Sequence, residues 1–517
     1  MNRRAFLTQA ASVAAIGATS PLIFANEPKN LSTTERFKSE FAAAAAKNPY
    51  LTPLKGAAGD LTCDTLAVEG KLPRELSGRF YRNGPANFER GNERYQHWFD
   101  GDGMVQQFTF DGSRVSHRGR YVRTEKYLAE QAAGEFLVPA FGTSIRPKRR
   151  VLGPDSMNTA NTNAIEHAGR VLAMWEGGSA HELDPRTLDT KGVVTWQAGW
   201  EQMPFSAHPK LDPQGTLWNF GSVRDRFFVY RIDAAGKLAN TQIARVAIDR
   251  NTHGGMVHDM AITERYFVVP IPPVTIEFEL LAQGKFGSDV MKMHKAAPLK
   301  IWVAPKDDVS KGRIFDLPHD MVFHVGNAFE RTGPSGTEII LTYVGSRDDT
   351  FLGGGAVSMM RGQHSKSGES ALRTVTLNVS NGSARLETFD DSFEEFPRLD
   401  PRFVGTKSEF LVSPTSWRNR DKVDVGFHGL QVRQLASGKS TRFDYGDEFI
   451  VEEHLVVPRQ AGSKELDGWI IGTAFSAKRQ QTCVNVFEAT RIADGPIARG
   501  WLPYWLPLGF HGNFTQA

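Results

Sequence analysis

The chain has 517 residues, of which 40% are hydrophobic, so it is long and apolar enough to bury a large core. Its 61 lysines and arginines nearly balance 58 aspartates and glutamates, which leaves a net charge of +3 and disfavours nucleic-acid binding. The two cysteines, Cys63 and Cys483, are too few for a zinc finger, an iron–sulfur cluster or a disulfide-stapled scaffold. Whether they pair with each other is left open.

The N-terminus predicts an export signal over residues 1–25. Arg3 and Arg4 precede a run of small and apolar residues at positions 10–25, which is too short and too weakly hydrophobic for a permanent membrane span. The pattern is similar to a bacterial twin-arginine (Tat) signal peptide, in which the export receptor reads the arginine pair. We therefore expect a periplasmic protein. Cleavage is placed near Ala25, and residues 26–65 are expected to form an N-terminal extension.

The extension is predicted to contain a short helix at residues 37–48, and from Leu66 onward the sequence reads as strands and turns. Units of strand, turn and strand recur at a spacing of roughly forty to fifty residues, which is typical of four-stranded propeller blades. The count favours about seven blades in one all-β domain over residues 66–517. A parallel βα alternation is the competing architecture, and the scarcity of amphipathic helical stretches between strands disfavours it.

Two insertions interrupt the repeat. Residues 276–297 predict a partly helical lid on one face of the propeller. The apolar residues 136–141, which begin with Phe136 and end with Phe141, precede a basic cluster that runs from Arg146 to Arg150. This order predicts a surface that dips into a membrane. Packing of the same loop against its own domain is the alternative.

Four histidines occupy comparable settings at strand edges, and only a radially repetitive fold could bring them to one axis; they are His208, His258, His324 and His511. No HxH or HExxH spacing places two of them on one element, so the residues alone permit a histidine-only metal site without demonstrating one. The oxygen-rich segment at Asp100 and Asp102 lacks the spacing of an EF-hand loop, and a structural hairpin is predicted there instead.

Three stretches carry a family resemblance: GRFYRNGP at residues 78–85, HWFDGDGM at 97–104 and RYVRT at 120–124. They resemble the opening of the carotenoid cleavage oxygenase family, which also includes lignostilbene dioxygenases and the visual-cycle retinoid isomerase. The sequence contexts of the same histidines match the four iron-ligand motifs of that family in order. The match covers essentially the whole chain after the signal.

The resemblance implies a seven-bladed β-propeller with loop and helical insertions that cap an axial site. One Fe(II) per chain would be bound there by the neutral imidazoles of His208, His258, His324 and His511. Glutamates that accept the second imidazole N–H would orient these ligands, and three match the motifs of the family: Glu176, Glu395 and Glu465. His258 is then left with a carbonyl, a water or no partner.

The activity that the resemblance implies is oxidative cleavage of a carbon–carbon double bond by O2, in an apolar conjugated substrate, to aldehyde or ketone products. The alkene supplies the electrons, so no nicotinamide, flavin or 2-oxoglutarate is expected. A carotenoid or apocarotenoid is favoured over a phenolic stilbene, for which Tyr95 and Lys126 are the candidates to hold the phenol. A periplasmic propeller that binds a ligand without catalysis is the alternative from another class. A monomer is expected.

Overall fold

The computed structural model describes residues 32–283, 285, 287–333, 335–347, 354–363, 370–389, 393–417 and 426–517. The predicted export signal lies outside these residues. None of the helices within the described ranges combines the length and the apolar character that crossing a bilayer requires.

Strands dominate the described part of the chain. In chain order they are β1 (Leu61–Cys63), β2 (Ala67–Gly70), β3 (Ser77–Asn87), β4 (Glu89–Arg90), β5 (Glu93–Arg94), β6 (Asp102–Asp111), β7 (Val115–Tyr121), β8 (Asn163–His167), β9 (Arg170–Met174), β10 (His181–Leu183), β11 (Thr190–Val193), β12 (Lys210–Leu211), β13 (Leu217–Val223), β14 (Arg226–Ile232), β15 (Leu238–Arg245), β16 (Ala261–Ile262), β17 (Tyr266–Ile271), β18 (Val274–Ile276), β19 (Met291–Met293), β20 (Leu299–Pro305), β21 (Arg313–Leu317), β22 (Met321–Gly333), β23 (Gly336–Ser346), β24 (Ser370–Asn378), β25 (Ala384–Phe389), β26 (Phe393–Glu394), β27 (Phe410–Ser416), β28 (Gly429–Gln434), β29 (Ser440–Asp444), β30 (Phe449–Pro458), β31 (Gly468–Ser476), β32 (Gln481–Glu488), β33 (Ala498–Trp501) and β34 (Gly512–Gln516).

Helices are short and lie between or before the strands. The α-helices are α1 (Thr33–Ala45), α2 (Glu125–Ala133), α3 (Phe278–Ala282) and α4 (Gly354–Met360). The 3₁₀ turns are Pro49–Lys55, Trp98–Asp100, Pro154–Met157, Gly287–Val290, Val309–Lys311, Pro401–Phe403 and Ala489–Asp494.

The strands form seven antiparallel blades, which confirms the predicted seven-bladed all-β propeller. From the axis outward, blade 1 is β34-β3-β6-β7-β1, blade 2 is β8 to β11, blade 3 is β12 to β15, blade 4 is β16-β17-β20-β21, blade 5 is β22 to β25, blade 6 is β26 to β29 and blade 7 is β30-β31-β32-β33-β2. The first strand of most blades lines a cavity on the axis. Closure into a ring removes the open sheet edges that an isolated sheet would expose.

Two strands from opposite ends of the chain close the ring. The last strand, β34, pairs with β3 in blade 1, where Gly512 lies opposite Arg82. Near the N-terminus, β2 pairs with β33 in blade 7, where Ala67 lies opposite Trp501. Blade 1 also takes β1, so the propeller begins at Leu61, before the predicted start at Leu66.

The extension before the propeller is helical and packs on the ring. Helix α1 begins at Thr33, earlier than predicted, because Ser32 and Glu35 form a capping box. Phe37 and Phe41 on its inner face are buried in one cluster with Trp98 and other apolar residues. Burying each such phenyl ring contributes roughly 1.5–3 kcal/mol, so this helix is held by the propeller.

The insertion at residues 276–297 is partly helical, as predicted. Strands β18 and β19 form a hairpin that encloses α3 and the turn Gly287–Val290. The Ser288 amide donates to the Phe141 carbonyl at 2.6 Å, so this insertion rests on the other one.

The prediction that the loop at residues 136–141 dips into a membrane is wrong. Phe136, Val138 and Ala140 are buried, and Phe136 stacks on Tyr95 with ring centroids 3.9 Å apart. The loop therefore packs against its own domain, and its apolar side chains are not free to enter a bilayer.

Both cysteines are free thiols, so Cys63 and Cys483 do not form a disulfide.

Candidate metal centre

The four predicted histidines meet on the axis of the propeller. His208 and His258 lie in the loops that precede β12 and β16, His324 lies in β22, and His511 directly precedes β34. One nitrogen atom from each imidazole lies within 4.8 Å of the others. The Nε2 atoms of His208 and His258 are 3.0 Å apart. Blades 1, 3, 4 and 5 each supply one of these rings.

Local irregularities aim two of the rings. The pairing of β22 with β23 shifts register between Val322 and Val325, and this bulge surrounds His324. His511 is flanked by Gly512, whose backbone lies so close to β3 that a Cβ atom would collide with the carbonyl oxygen of Tyr81. Only glycine permits this approach, which explains the small residue beside the last histidine.

Three carboxylates orient three of the imidazoles. Glu176 accepts from Nδ1 of His258. Oε2 of Glu395 lies 2.5 Å from Nδ1 of His324, and Oε1 of Glu453 lies 2.9 Å from Nδ1 of His511. Because Nδ1 of each ring is engaged, Nε2 is the atom left to face a metal.

The prediction of Glu465 as an orienting carboxylate is wrong. It accepts from the hydroxyl of Ser408 at 2.7 Å and from the amides of Glu409 and Phe410 at 2.8 and 3.1 Å. Glu453 takes the expected place. The sequence carried a signal for it, because two adjacent acids interrupt the buried apolar strand β30, whereas Glu465 lies in a turn.

The predicted distribution of partners also needs correction. His258 is paired with Glu176, and His208 is the ring without a carboxylate in hydrogen-bonding distance among the described residues. Oδ2 of Asp259 lies 3.9 Å from Nδ1 of His208. Asp259 instead forms an ion pair with Lys210 at 2.8 Å and accepts the Val325 amide. Among the four rings, His208 is therefore the one whose Nδ1 is not oriented by a carboxylate of the described residues.

Burial keeps two of these rings neutral. It lowers the pKa of His208 well below the usual value, an effect that the neighbouring histidines reinforce, and it lowers the pKa of His511 to about 4 despite Glu453. Burial alone would also lower the pKa of His258, but Glu176 outweighs it and raises that pKa. Burial raises the pKa of Glu453, yet Arg398 and His511 together lower it, so this carboxylate is charged.

The donor set fits a divalent transition metal. Nε2 of His324 is buried and has no hydrogen-bond partner among the described residues, which is costly unless something else binds it. Neutral imidazoles donate well to such ions, and carboxylates behind the ligands offset the charge of the ion. His208, His258, His324 and His511 would hold the metal.

An apolar cavity with about 580 Å³ of empty space leads to the histidines. Most of its lining side chains are aromatic or apolar: Phe99, Phe141, Trp175, Met256, Phe323, Phe396 and Phe510. Asn161, Thr162 and Glu176 add polar atoms near the metal end. A second, more polar cavity of about 1310 Å³ runs along the axis and meets the first at His324, Phe396 and His511.

Tyr95 and Lys126 lie behind this cavity and are fully buried. Nζ of Lys126 contacts the Tyr95 hydroxyl at 2.6 Å, Asp102 at 2.8 Å and Glu130 at 3.0 Å. Neither side chain lines the cavity.

The segment at Asp100 and Asp102, predicted as a structural hairpin, forms a 3₁₀ turn that leads into β6. Asp100 accepts from the Gly142 amide and Asp102 pairs with Lys126, so both acids have structural roles.

A seven-bladed propeller whose axis carries four convergent histidines and three orienting carboxylates is a fold with a candidate metal centre at its middle. Residues 57–516 match the family described as RPE65, retinal pigment epithelial membrane protein. The chain belongs to this family, which includes the carotenoid cleavage oxygenases, and the resemblance noted in the sequence is thereby confirmed.

Two curated relatives are oxygenases of different substrates. Lignostilbene-alpha,beta-dioxygenase isozyme III of Sphingomonas paucimobilis is 29% identical and covers 93% of this chain and 98% of its own length. Apocarotenoid-15,15'-oxygenase of Synechocystis is 28% identical and covers 87% of this chain and 92% of its own. The solved structure of cobalt-substituted Synechocystis ACO superposes with a TM-score of 0.80 at 26% identity, over 91% of this chain and 98% of that one.

Proposed function

We propose that this protein is a non-haem iron(II) dioxygenase that cleaves one carbon–carbon double bond of a carotenoid or apocarotenoid. The observation that carries the proposal is that three of the four clustered imidazoles, those of His258, His324 and His511, line an apolar, aromatic cavity. An aromatic lining of this kind suits an apolar conjugated substrate that approaches the metal from this side. One Fe(II) per chain is the expected cofactor.

Four nitrogen ligands leave two positions of an octahedral ion open. Iron bound there would supply the activation of dioxygen that the alkene itself lacks. Glu176, Glu395 and Glu453 hold three of the rings in orientation and balance the charge of the ion. The four ligands are all neutral imidazoles, so the charge of the ion would be balanced by the carboxylates that hydrogen-bond to these rings.

The walls of the cavity support an apolar substrate. Phe99 and Phe510 meet edge to face with ring centroids 5.2 Å apart, and Phe323 lies 6.4 Å from Phe99. These rings offer faces and edges to a planar polyene and exclude water from the reacting bond.

A phenolic stilbene is the second candidate substrate. The observation that favours it is the Lys126–Tyr95 pair at 2.6 Å, an ionisable network behind the wall that carries Phe99 and Phe141. Because Asp102 and Glu130 already form ion pairs with the ammonium group of Lys126, a phenol could bind Lys126 only by displacing one of these contacts. The carotenoid candidate requires no such rearrangement.

Oxygen uptake by protein loaded with iron under anaerobic conditions tests the proposal. We expect consumption of one O2 for each bond cleaved with an apocarotenal, and two carbonyl products whose masses identify the bond. A hydroxylated stilbene serves as the competing substrate. The variant His324→Ala should retain no iron and show no turnover.

Two results would overturn the proposal. If only the stilbene is cleaved, the substrate is a phenolic stilbene and the proposed metal chemistry still holds. A protein that purifies without iron, binds none when supplied, and consumes no oxygen would instead be a binding propeller.

A further inference from the structure

A small cavity between blades 3 and 4 lies away from the four histidines. It holds about 350 Å³ of empty space and is lined mainly by β13, β14 and β15 on one side and by the residues just after β20 on the other. Trp218 supplies its aromatic surface, and its charged lining residues are Arg231, Lys306 and Asp307. The proposed oxygenase chemistry uses none of them.

Lys306 is half-buried and is unlike other lysines of similar exposure. Its Nζ atom lies 4.6 Å from the ring centroid of Trp218 and forms no ion pair or hydrogen bond with the described residues. By contrast, Lys210 pairs with Asp259 at 2.8 Å and Lys300 pairs with Asp316 at 2.6 Å. An ammonium group shielded from water without a carboxylate is a costly arrangement that a ligand would relieve.

The backbone and the ring around this amine are held in place. The Lys306 amide donates to the carbonyl of Arg265 at 2.8 Å, and the side chain of Gln242 donates to the Lys306 carbonyl at 2.7 Å. The indole N–H of Trp218 donates to Asp212 at 2.8 Å, which fixes the ring. The cavity is thus organised without a ligand.

Arg231 brings a second cation to the same ring, with its guanidinium carbon 5.5 Å from the Trp218 centroid. Burial lowers the pKa of Lys306 to about 8; Asp212, Glu330 and Glu264 oppose the shift, and Arg231 adds to it. A useful fraction of the amine is therefore unprotonated near neutral pH, which is the nucleophilic form.

We propose that this cavity binds a small anionic aldehyde covalently, with Lys306 as the nucleophile and Arg231 as the partner of the anion. The lone pair of Nζ attacks the carbonyl carbon and forms a C–N bond. The carbinolamine then loses its hydroxyl group as water, with one proton from the nitrogen, and leaves an imine. No oxidant or reductant is needed, and hydrolysis reverses the step. This inference does not depend on the proposed oxygenase function.

The test uses pyridoxal 5'-phosphate as the probe, with sodium borohydride added to reduce and trap any imine. The full chain is treated at pH 7.5, digested, and its labelled peptides are quantified by mass spectrometry. We expect Lys306 to be labelled about tenfold faster than the exposed Lys478, because burial lowers the pKa of Lys306 and leaves part of its amine unprotonated at this pH. Lys306→Arg should remove that label and leave the labelling of Lys478 unchanged.

A matched comparison tests the anion partner. Arg231→Gln should slow labelling of Lys306 by pyridoxal 5'-phosphate, whereas labelling by pyridoxal, which lacks the phosphate, should not slow. The proposal is overturned if labelling follows solvent exposure, with Lys478 ahead of Lys306. It is also overturned if the Arg231 variant affects both probes equally, since a phosphate contact would then be absent.

Discussion

Glu453 holds both His511 and the backbone beyond it. Its Oε1 atom lies 2.9 Å from Nδ1 of His511, and its Oε2 atom accepts the Gly512 amide at 2.7 Å. Arg398 lies 3.6 Å from the same carboxylate and keeps it charged. The orientation of the last ligand and the start of the closing strand therefore depend on one side chain of blade 7.

Replacing this carboxylate should weaken metal binding selectively. Glu453→Gln removes the charge behind His511, and we expect metal affinity to fall by about 10–100-fold. Glu465→Gln changes a glutamate in a turn that accepts from Ser408 and two backbone amides, so the metal affinity of this variant should equal that of the wild type. Competition with a chelator measures both. Equal losses in the two variants would contradict the assignment.

Removing the last ligand and removing the last strand should have different effects. His511→Ala keeps β34, so we expect a folded protein that no longer retains metal. A chain that ends at Phe510 also loses the pairing of β34 with β3 and the packing of the partly buried Phe514. Its free energy of unfolding should fall by more than the roughly 3 kcal/mol of a single large core truncation. Urea unfolding of the metal-free proteins separates the two. Similar midpoints would argue against β34 as the closing element.

The wall of the substrate cavity can be altered without touching the metal ligands. Phe141→Ala removes an aromatic surface contributed by the loop at residues 136–141, and we expect kcat/KM to fall about tenfold, since part of the 1.5–3 kcal/mol of a buried phenyl contact is lost. Metal content should not change. Phe389→Ala, on the outer strand β25, is the control and should leave kcat/KM unaltered. A loss of iron in the Phe141 variant would show that the effect is not on the substrate.

Asp100 gives the protein a pH-dependent stability. Burial raises its pKa to about 7, even though the Thr143 hydroxyl and the Gly142 amide donate to it. The native state thus keeps a proton between about pH 4 and 7 that the unfolded state has released, so the free energy of unfolding falls as pH rises across that window, by about 4 kcal/mol at most. Asp100→Asn should lack this slope. Urea unfolding of both proteins at several pH values measures the difference, and parallel curves would refute it.

Export can be tested independently of the fold. We propose that Arg3 and Arg4 direct the chain to the twin-arginine pathway, so replacing both with lysine should leave the full-length protein in the cytoplasm of a bacterial host. Replacing Arg149 and Arg150 with lysine changes a basic pair outside the signal and should not affect export. Fractionation with an activity-independent immunoblot distinguishes the outcomes. Periplasmic recovery of the double-lysine variant would exclude this route.

The histidines were predictable because short, local contexts mark them and because the repeat implies an axis to which distant loops converge. The three carboxylates that orient the histidines were harder to predict. Glu176 and Glu395 follow strands in motifs that the resemblance covers. The resemblance also pointed to Glu465, which lies in a turn, whereas Glu453 lies inside strand β30. A buried acid inside the apolar strand β30 was the physical clue, since such a charge needs a partner.

The loop at residues 136–141 shows a second limit of sequence reasoning. An apolar run followed by basic residues predicts a membrane contact only if the run is exposed. Exposure here depends on Tyr95, which stacks on Phe136, and on Lys148, whose amide donates to the Leu137 carbonyl at 2.8 Å. These long-range contacts leave no periodicity in the sequence, so composition could not separate the two alternatives.

Each of the seven blades supplies one group to the axis: a histidine from blades 1, 3, 4 and 5 and a carboxylate from blades 2, 6 and 7. No fragment of the chain therefore contains a complete site. A nascent chain or a proteolytic product that lacks any blade would hold the ion with fewer ligands or with a mis-oriented one. Metal occupancy consequently reports on the integrity of the whole ring, and tight retention of the ion distinguishes finished molecules from unfinished ones.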